Sequence, residues 1–206
     1  MKTLVLSTTD PIAIRRAMEI LRADGLVVFP TDTVYGVAAW VTSARGIDRL
    51  YEAKGRDATK AIPVLLGAPE QLPLVAINLP PHAQKLAAAF WPGAMTLVVP
   101  RHPGLPANLS QTDTVGVRMP DHPFALDLLR QAGPLATTSA NLSGGPNPQT
   151  AQEALAQLDG RVELVIDGGA CPGGLPSTVV DATRPELAIL RQGPLTLEIL
   201  QKAIES

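Results

Sequence analysis

Three hydroxyls and a carboxylate crowd into Thr31-Asp32-Thr33-Val34-Tyr35-Gly36, directly behind the apolar run Leu26-Val27-Val28-Phe29 and Pro30. A buried strand that opens into such a turn can offer a small polar ligand donors and acceptors. Thr and Asp in a turn also commonly satisfy their own backbone. Lys54, Arg56 and Lys60 gather around Gly55, a grouping that suits phosphate. A lysine at a helix C-terminus is equally explained by the dipole, worth about 0.3–1 kcal/mol. Arg118, near the end of the alternating segment 114–120, can grip a carboxylate in a two-point fork or face solvent. Ser139-Ala140-Asn141-Leu142-Ser143-Gly144-Gly145 makes another polar turn, Ser177 opens a further strand, and Arg191 follows the last one.

Ligands of α/β sheets lie outside strand ends, so these turns together point to one site. The chain has neither G-x-x-x-x-G-K-[ST] nor G-x-G-x-x-G opening a helix, the usual nucleotide signatures. It has no Ser-His-Asp set or Cys-His pair, which argues against covalent acyl transfer. His82, His102 and His122 each sit beside proline-rich turn chemistry and read as surface or turn residues, with no metal cluster in view. The chemistry that fits is positioning and charge neutralisation, not a protein nucleophile.

The elements that must position these residues follow from periodicity. The spacing predicts a helix over 9–25 with Thr9 as cap and Gly25 behind it, then strands over 26–29 and 37–41. Ser43 caps a helix closed at Gly55, and Ile62 to Leu66 reads as a strand. A helix from Pro80-Pro81 through Phe90 precedes a strand over 95–99. Residues 100–113 form a loop long enough for a lid or a rim. A strand over 114–120, a helix over 123–131 and a strand over 135–138 come next. Thr150-Ala151-Gln152-Glu153 is a capping box. Strands over 162–166, 177–181 and 187–190 lead to a terminal helix capped by Thr196. Strands often follow one another without a helix, so the expected class is α/β with a mixed sheet.

With 206 residues, 46% of them hydrophobic, the chain can bury one sizeable core. A net charge of −2 excludes a globally basic nucleic-acid binder, leaving only a local patch for RNA. The single cysteine, Cys171, rules out an internal disulfide framework and suits a reducing compartment. No segment is apolar enough to span a bilayer, so the expectation is a soluble cytoplasmic protein without membrane contact.

The order and spacing of PTDTVYG, KGR with a later lysine, VRMP, SANLSG, STVVD and LRQG, over about residues 24–193, resembles the YrdC-like family. The resemblance implies a twisted mixed sheet with flanking helices and a concave, cation-lined cleft, formed by a single domain over 1–206. It also implies the activity of the family's threonylcarbamoyl-AMP synthases, which join L-threonine, bicarbonate and ATP, with Mg²⁺, for threonylcarbamoyladenosine modification of tRNA. By that resemblance Lys54 and Arg56 are catalytic and, with Lys60 and Arg191, meet the ATP phosphates. Arg118 holds the threonine carboxylate and Thr33 and Ser177 line its pocket. Ser139, Asn141 and Ser143 sit between threonine and nucleotide. Partners would be the substrates, a tRNA contact and downstream tRNA-modification proteins.

The chain departs from the family pattern at Ala61-Ile62, at Leu65 where two-domain relatives often carry histidine, and at Pro176 where many carry an acid. It stops soon after LRQG, as the short form does. The competing readings are a carbamoyl-transferring YrdC-like module and a non-catalytic RNA-binding protein of the same fold.

Overall fold

The computed structural model describes residues 2–205. In chain order the elements are β1 (Leu4–Ser7), α1 (Ala13–Arg22), β2 (Val27–Phe29), β3 (Gly36–Trp40), α2 (Ala44–Lys54), β4 (Val64–Leu65), α3 (Pro81–Phe90), β5 (Met95–Pro100) and β6 (Thr114–Arg118). There follow α4 (Pro123–Ala132), β7 (Leu135–Ser139), α5 (Ala151–Leu158), β8 (Leu164–Asp167), β9 (Thr178–Asp181), β10 (Ala188–Arg191) and α6 (Leu197–Glu205). Short 3₁₀ turns cover Pro69–Leu74 and Ala107–Leu109.

The strands form a ten-stranded sheet in the order β1-β8-β2-β3-β7-β4-β6-β5-β9-β10. Its pairs include the parallel β1/β8, β2/β8, β4/β6 and β5/β9 and the antiparallel β2/β3, β3/β7, β4/β7, β5/β6 and β9/β10. The sheet is mixed, as the scarcity of intervening helices requires. β1 shows no buried-face alternation, because its Leu4 and Val5 stay exposed at the sheet edge.

Period-two alternation divides the core. Val28, Val37 and Ala39 face a large cluster that also takes in residues of α2, α3 and α5. Val27, Phe29 and Ala38 face a second cluster built with α1 and α4. In β5 and β6, Met95, Leu97, Val99, Val115 and Val117 all join the first cluster. Thr96, Val98, Gly116 and Arg118, on the other face, belong to neither cluster, since α1 and α4 reach only as far as Leu65 and Leu135. That uncovered face is where a ligand can lie.

Capping follows the sequence in most places. Ser43 Oγ accepts from Gly46 N at 2.8 Å, and Gly55 closes α2 with φ 56°. Thr150 Oγ1 accepts from Glu153 N at 3.2 Å, while the Glu153 carboxylate accepts from Gln149 N. At α1 the expectation is corrected: the helix begins at Ala13, and Asp10 Oδ1, not Thr9, takes up an amide, that of Ile12. The positive φ after α1 falls on Asp24, 58°, and not on Gly25. Gly25 is required by crowding, because an added Cβ would stand 2.8 Å from the Ile20 carbonyl oxygen. Loop 100–113 is pinned by buried Leu105 and Leu109, and Leu109 O accepts from Ile62 N at 3.0 Å.

Leu97, in β5, is fully buried. Leu97→Ala is expected to cost about 2–5 kcal/mol. Leu74→Ala, at a position 59% exposed, should stay within about 0.5 kcal/mol. Urea unfolding of the two variants checks the contrast.

Candidate active site

The uncovered half of the sheet carries a cavity of about 360 Å³, walled by the turn after β2, the ends of β6 and β7, and the β9–β10 hairpin. This is within the usual size of small-molecule sites, about 300–1,000 Å³. Arg56, Arg118 and Arg191 line it together with Thr33, Ser139 and Ser177, so the structure brings these six sequence-derived candidates to one place. Val98, Val179, Leu65 and Leu190 supply apolar wall.

Arg118 is the most constrained of these groups. It is 6% exposed and donates from Nε to Gly93 O (2.9 Å), from Nη1 to Thr33 Oγ1 (2.9 Å) and from Nη2 to Asp32 Oδ1 (2.5 Å). Burial pulls its pKa down, and the Asp32 carboxylate opposes that pull. The turn itself is held by Thr31, whose hydroxyl donates to Val34 O at 2.7 Å and accepts from Thr33 N. The hydroxyls of this turn are divided between backbone and side-chain partners. Thr31 serves the backbone and Thr33 serves Arg118. Tyr35 serves structure as well: its hydroxyl donates to Gly169 O at 2.7 Å, and burial pushes its pKa up to about 12.

Arg191 and Arg56 line the same cavity, and the Arg191 charge acts on Arg118. Arg191 forks onto Ser177 O through Nε (3.1 Å) and Nη2 (2.9 Å), and Nη2 also reaches Ser177 Oγ. The Ser177 hydroxyl shares a 2.7 Å hydrogen bond with Thr96 Oγ1. Gly193 makes this hairpin possible, since a Cβ there would lie 2.6 Å from the Pro176 carbonyl oxygen. Arg56 donates to the carbonyls of Ala61 (3.0 Å) and Lys60 (3.3 Å). Burial is the largest cause lowering the pKa of Arg56 and of Arg191, and Arg56 lowers Arg191 further. Two cations beside one cavity are suited to an anion.

Four candidates lie outside the cavity wall. Lys54 is 2% exposed, and its ammonium donates to Ser139 O and Asn141 O, each at 2.5 Å, with Asn141 Oδ1 at 3.3 Å. Burial, then Arg56, pulls its pKa down to about 7. Lys54 O accepts from Ser143 N at 2.8 Å, so the residue ties the end of α2 to the turn after β7 from both ends. Asn141 is spent within that turn: Nδ2 donates to Leu142 O and Gly145 O, and Oδ1 accepts from Ser139 Oγ. The Ser143 and Lys60 side chains are exposed.

Thr96, Gly116 and Thr137 line the cavity and were not picked out from sequence. Alternation held a signal for two of them, since Thr96 and Gly116 interrupt apolar strands on the face opposite Leu97 and Val117. The Asp32–Arg118 contact, 86 positions apart, leaves no local trace.

A family model named Sua5_yciO_yrdC, described as "Telomere recombination", matches residues 19–193. The chain belongs to this family. A putative threonylcarbamoyl-AMP synthase of Mycobacterium tuberculosis is 39% identical over 91% of this chain and 87% of its own length. A threonylcarbamoyl-AMP synthase of Pyrococcus abyssi is 39% identical over 98% of this chain and 61% of its own. The crystal structure of P. abyssi Sua5 complexed with L-threonine superposes with TM-score 0.93 over 98% of this chain and 61% of that one. E. coli YciO, at 24% identity and TM-score 0.84 over 97% of this chain and 98% of that one, shares the fold. The chain spans about 60% of the length of the P. abyssi relative.

Lys54→Met would strand buried carbonyls, and an expected loss of about 1–3 kcal/mol follows from unmet polar groups. Amide exchange over residues 139–145 should accelerate with it. Arg56→Ala, which gives up only contacts at the rim, should leave both nearly unchanged.

Proposed function

We propose that the chain forms threonylcarbamoyl-AMP and pyrophosphate from L-threonine, bicarbonate and ATP, as L-threonylcarbamoyladenylate synthases do. The observation that carries this reading is the gathering, on one cavity, of a buried, three-way-held Arg118 with Arg56 and Arg191. The naming of the relatives, and the threonine complex of the P. abyssi protein, support it.

In this reading the two unspent N–H groups of Arg118 hold the threonine carboxylate, and Thr33 and Ser177 line the pocket around it. Bicarbonate yields carbon dioxide and hydroxide; the neutral threonine amine adds to the carbon dioxide and gives up an N–H proton, which leaves with the hydroxide as water, so that a carbamate forms. A carbamate oxygen attacks the α-phosphorus in line, the bond from that phosphorus to the bridging oxygen breaks, and pyrophosphate leaves with the electron pair. Arg56 and Arg191, with Lys60 at the rim, neutralise the phosphates, so the two anions can meet. Ser139, Asn141 and Ser143 belong to the turn between the two reactants, and Lys54 acts through that turn by holding its carbonyls.

Among the described residues no group of three or more His, Cys, Asp or Glu is placed to hold a metal ion. Asp32, the acid nearest the cavity turn, is engaged by Arg118. These residues fit Mg²⁺ that arrives on the ATP phosphates with its own waters, as part of the substrate. No helix among the described residues is long and apolar enough to cross a membrane. In the same proposal residues 1–206 act as one YrdC-like domain in the cytoplasm, supplying threonylcarbamoyl-AMP to tRNA-modification proteins.

Pyrophosphate release should require threonine and bicarbonate together, and mass analysis should detect threonylcarbamoyl-AMP. RNA binding with no ATP turnover would favour the non-catalytic alternative. By calorimetry, Arg56→Ala should weaken ATP binding about tenfold or more, while Arg118→Ala should chiefly weaken threonine binding, each losing a charge-assisted contact. Equal loss of ATP in both variants, with threonine unaffected, would overturn the assignment of roles.

A further inference from the structure

The cavity is electrically asymmetric. The Arg118 guanidinium and the Asp32 carboxylate form an ion pair whose side chains are 7% and 13% exposed. Arg56 and Arg191 bond to backbone carbonyls and to a serine hydroxyl, and neither takes part in an ion pair found among the described residues. The other ion pairs, Arg16–Glu19 and Arg49–Glu163, involve no residue of the cavity wall. Arg118 is therefore paired by a carboxylate, whereas Arg56 and Arg191 meet no carboxylate at ion-pair distance; the Asp57 charge acts on Arg56 from farther off, and Arg191 acts on Arg118.

We propose that Asp32 determines which anion each arginine of the cavity accepts: by neutralising Arg118 it reserves that guanidinium for a small monoanionic carboxylate and leaves polyphosphate to Arg56 and Arg191. Three fixed bonds leave Arg118 two N–H groups, enough for one carboxylate. A polyphosphate drawn to the same place would lay several negative charges beside the Asp32 carboxylate, in a buried setting where screening is weak. Without Asp32 all three arginines of the cavity would lack a carboxylate at ion-pair distance, and the nucleotide's phosphates could bind any of them. Asp32 thus acts through Arg118 and is a positioning and specificity residue, not a catalytic one. The inference rests on the functional reading above and names how that one site keeps its two anionic substrates apart.

The test uses threonine and inorganic tripolyphosphate as probes, bound separately and together in calorimetry, with steady-state kinetics alongside. On the wild type, tripolyphosphate should bind without displacing threonine. In Asp32→Asn, which keeps the shape and an acceptor oxygen but removes the charge, tripolyphosphate should bind more tightly and compete with threonine. The threonine KM should rise about tenfold, with a smaller change in kcat. Asp32→Glu, retaining the charge, should restore non-competitive behaviour. Thr33→Val removes a neutral contact to Arg118 without altering charge, so it should raise the threonine KM yet leave tripolyphosphate non-competitive. Competition in Thr33→Val, or its absence in a folded Asp32→Asn, overturns the assignment to Asp32. If Asp32→Asn does not fold, Asp32→Glu and Thr33→Val decide: competition in either one overturns the proposal. Failure of the wild type to bind threonine would instead overturn the functional reading itself.

Discussion

A guanidinium taken almost wholly out of water is stable only if its neighbours replace the hydration it has lost. Arg118 meets that demand with one carboxylate, one hydroxyl and one backbone carbonyl, drawn from the turn after β2 and from the segment before β5. Removing one partner of such a buried pair is generally destabilising by about 3–5 kcal/mol, since the other charge is left unpaired. The pair therefore fixes more than a side chain. It holds the turn at Asp32 and Thr33 against the end of β6, and every other wall of the cavity is placed relative to those two.

The sheet makes that meeting possible. β6 pairs β4 in parallel and β5 in antiparallel fashion, with Arg118 in register with Leu65 and Val117 in register with Leu97. Alternation then sends Val117 into the core and Arg118 to the face that α1 and α4 leave bare. A one-residue slip of β6 would bury the charge among the aliphatic side chains of the large cluster. The apolar register and the polar site are one constraint seen from two faces.

The polar turns divide their labour between scaffold and ligand. Thr31, Tyr35, Lys54 and Asn141 spend their hydrogen bonds on backbone and on one another, which keeps the turns after β2 and β7 and the end of α2 in place. Arg56, Arg191 and Ser177 stand against the open volume that those turns define. Lysine and arginine differ here for a physical reason. A compact ammonium can be enclosed by three oxygens, whereas a planar guanidinium keeps donors to spare for a second partner.

Much of the fold could be read along the chain. Alternation and turn chemistry located most strands and helices, and the Ser43, Gly55 and Thr150 caps follow from side chains that reach backbone groups a few residues away. The edge strand β1 escaped notice because exposed Leu4 and Val5 carry no buried-face pattern, and the start of α1 because Asp10 and Thr9 offer rival caps within one turn. The types of chemistry were likewise legible, since arginines, hydroxyls and glycines at strand ends suit two anionic ligands in any arrangement. What those residues do to one another was not. That Lys54 faces carbonyls and not the cavity, and that Asp32 neutralises Arg118, depend on contacts between positions 85 to 87 apart. Local sequence dictates which groups a turn displays; the strand order of the folded sheet decides which of them are already engaged when a ligand arrives.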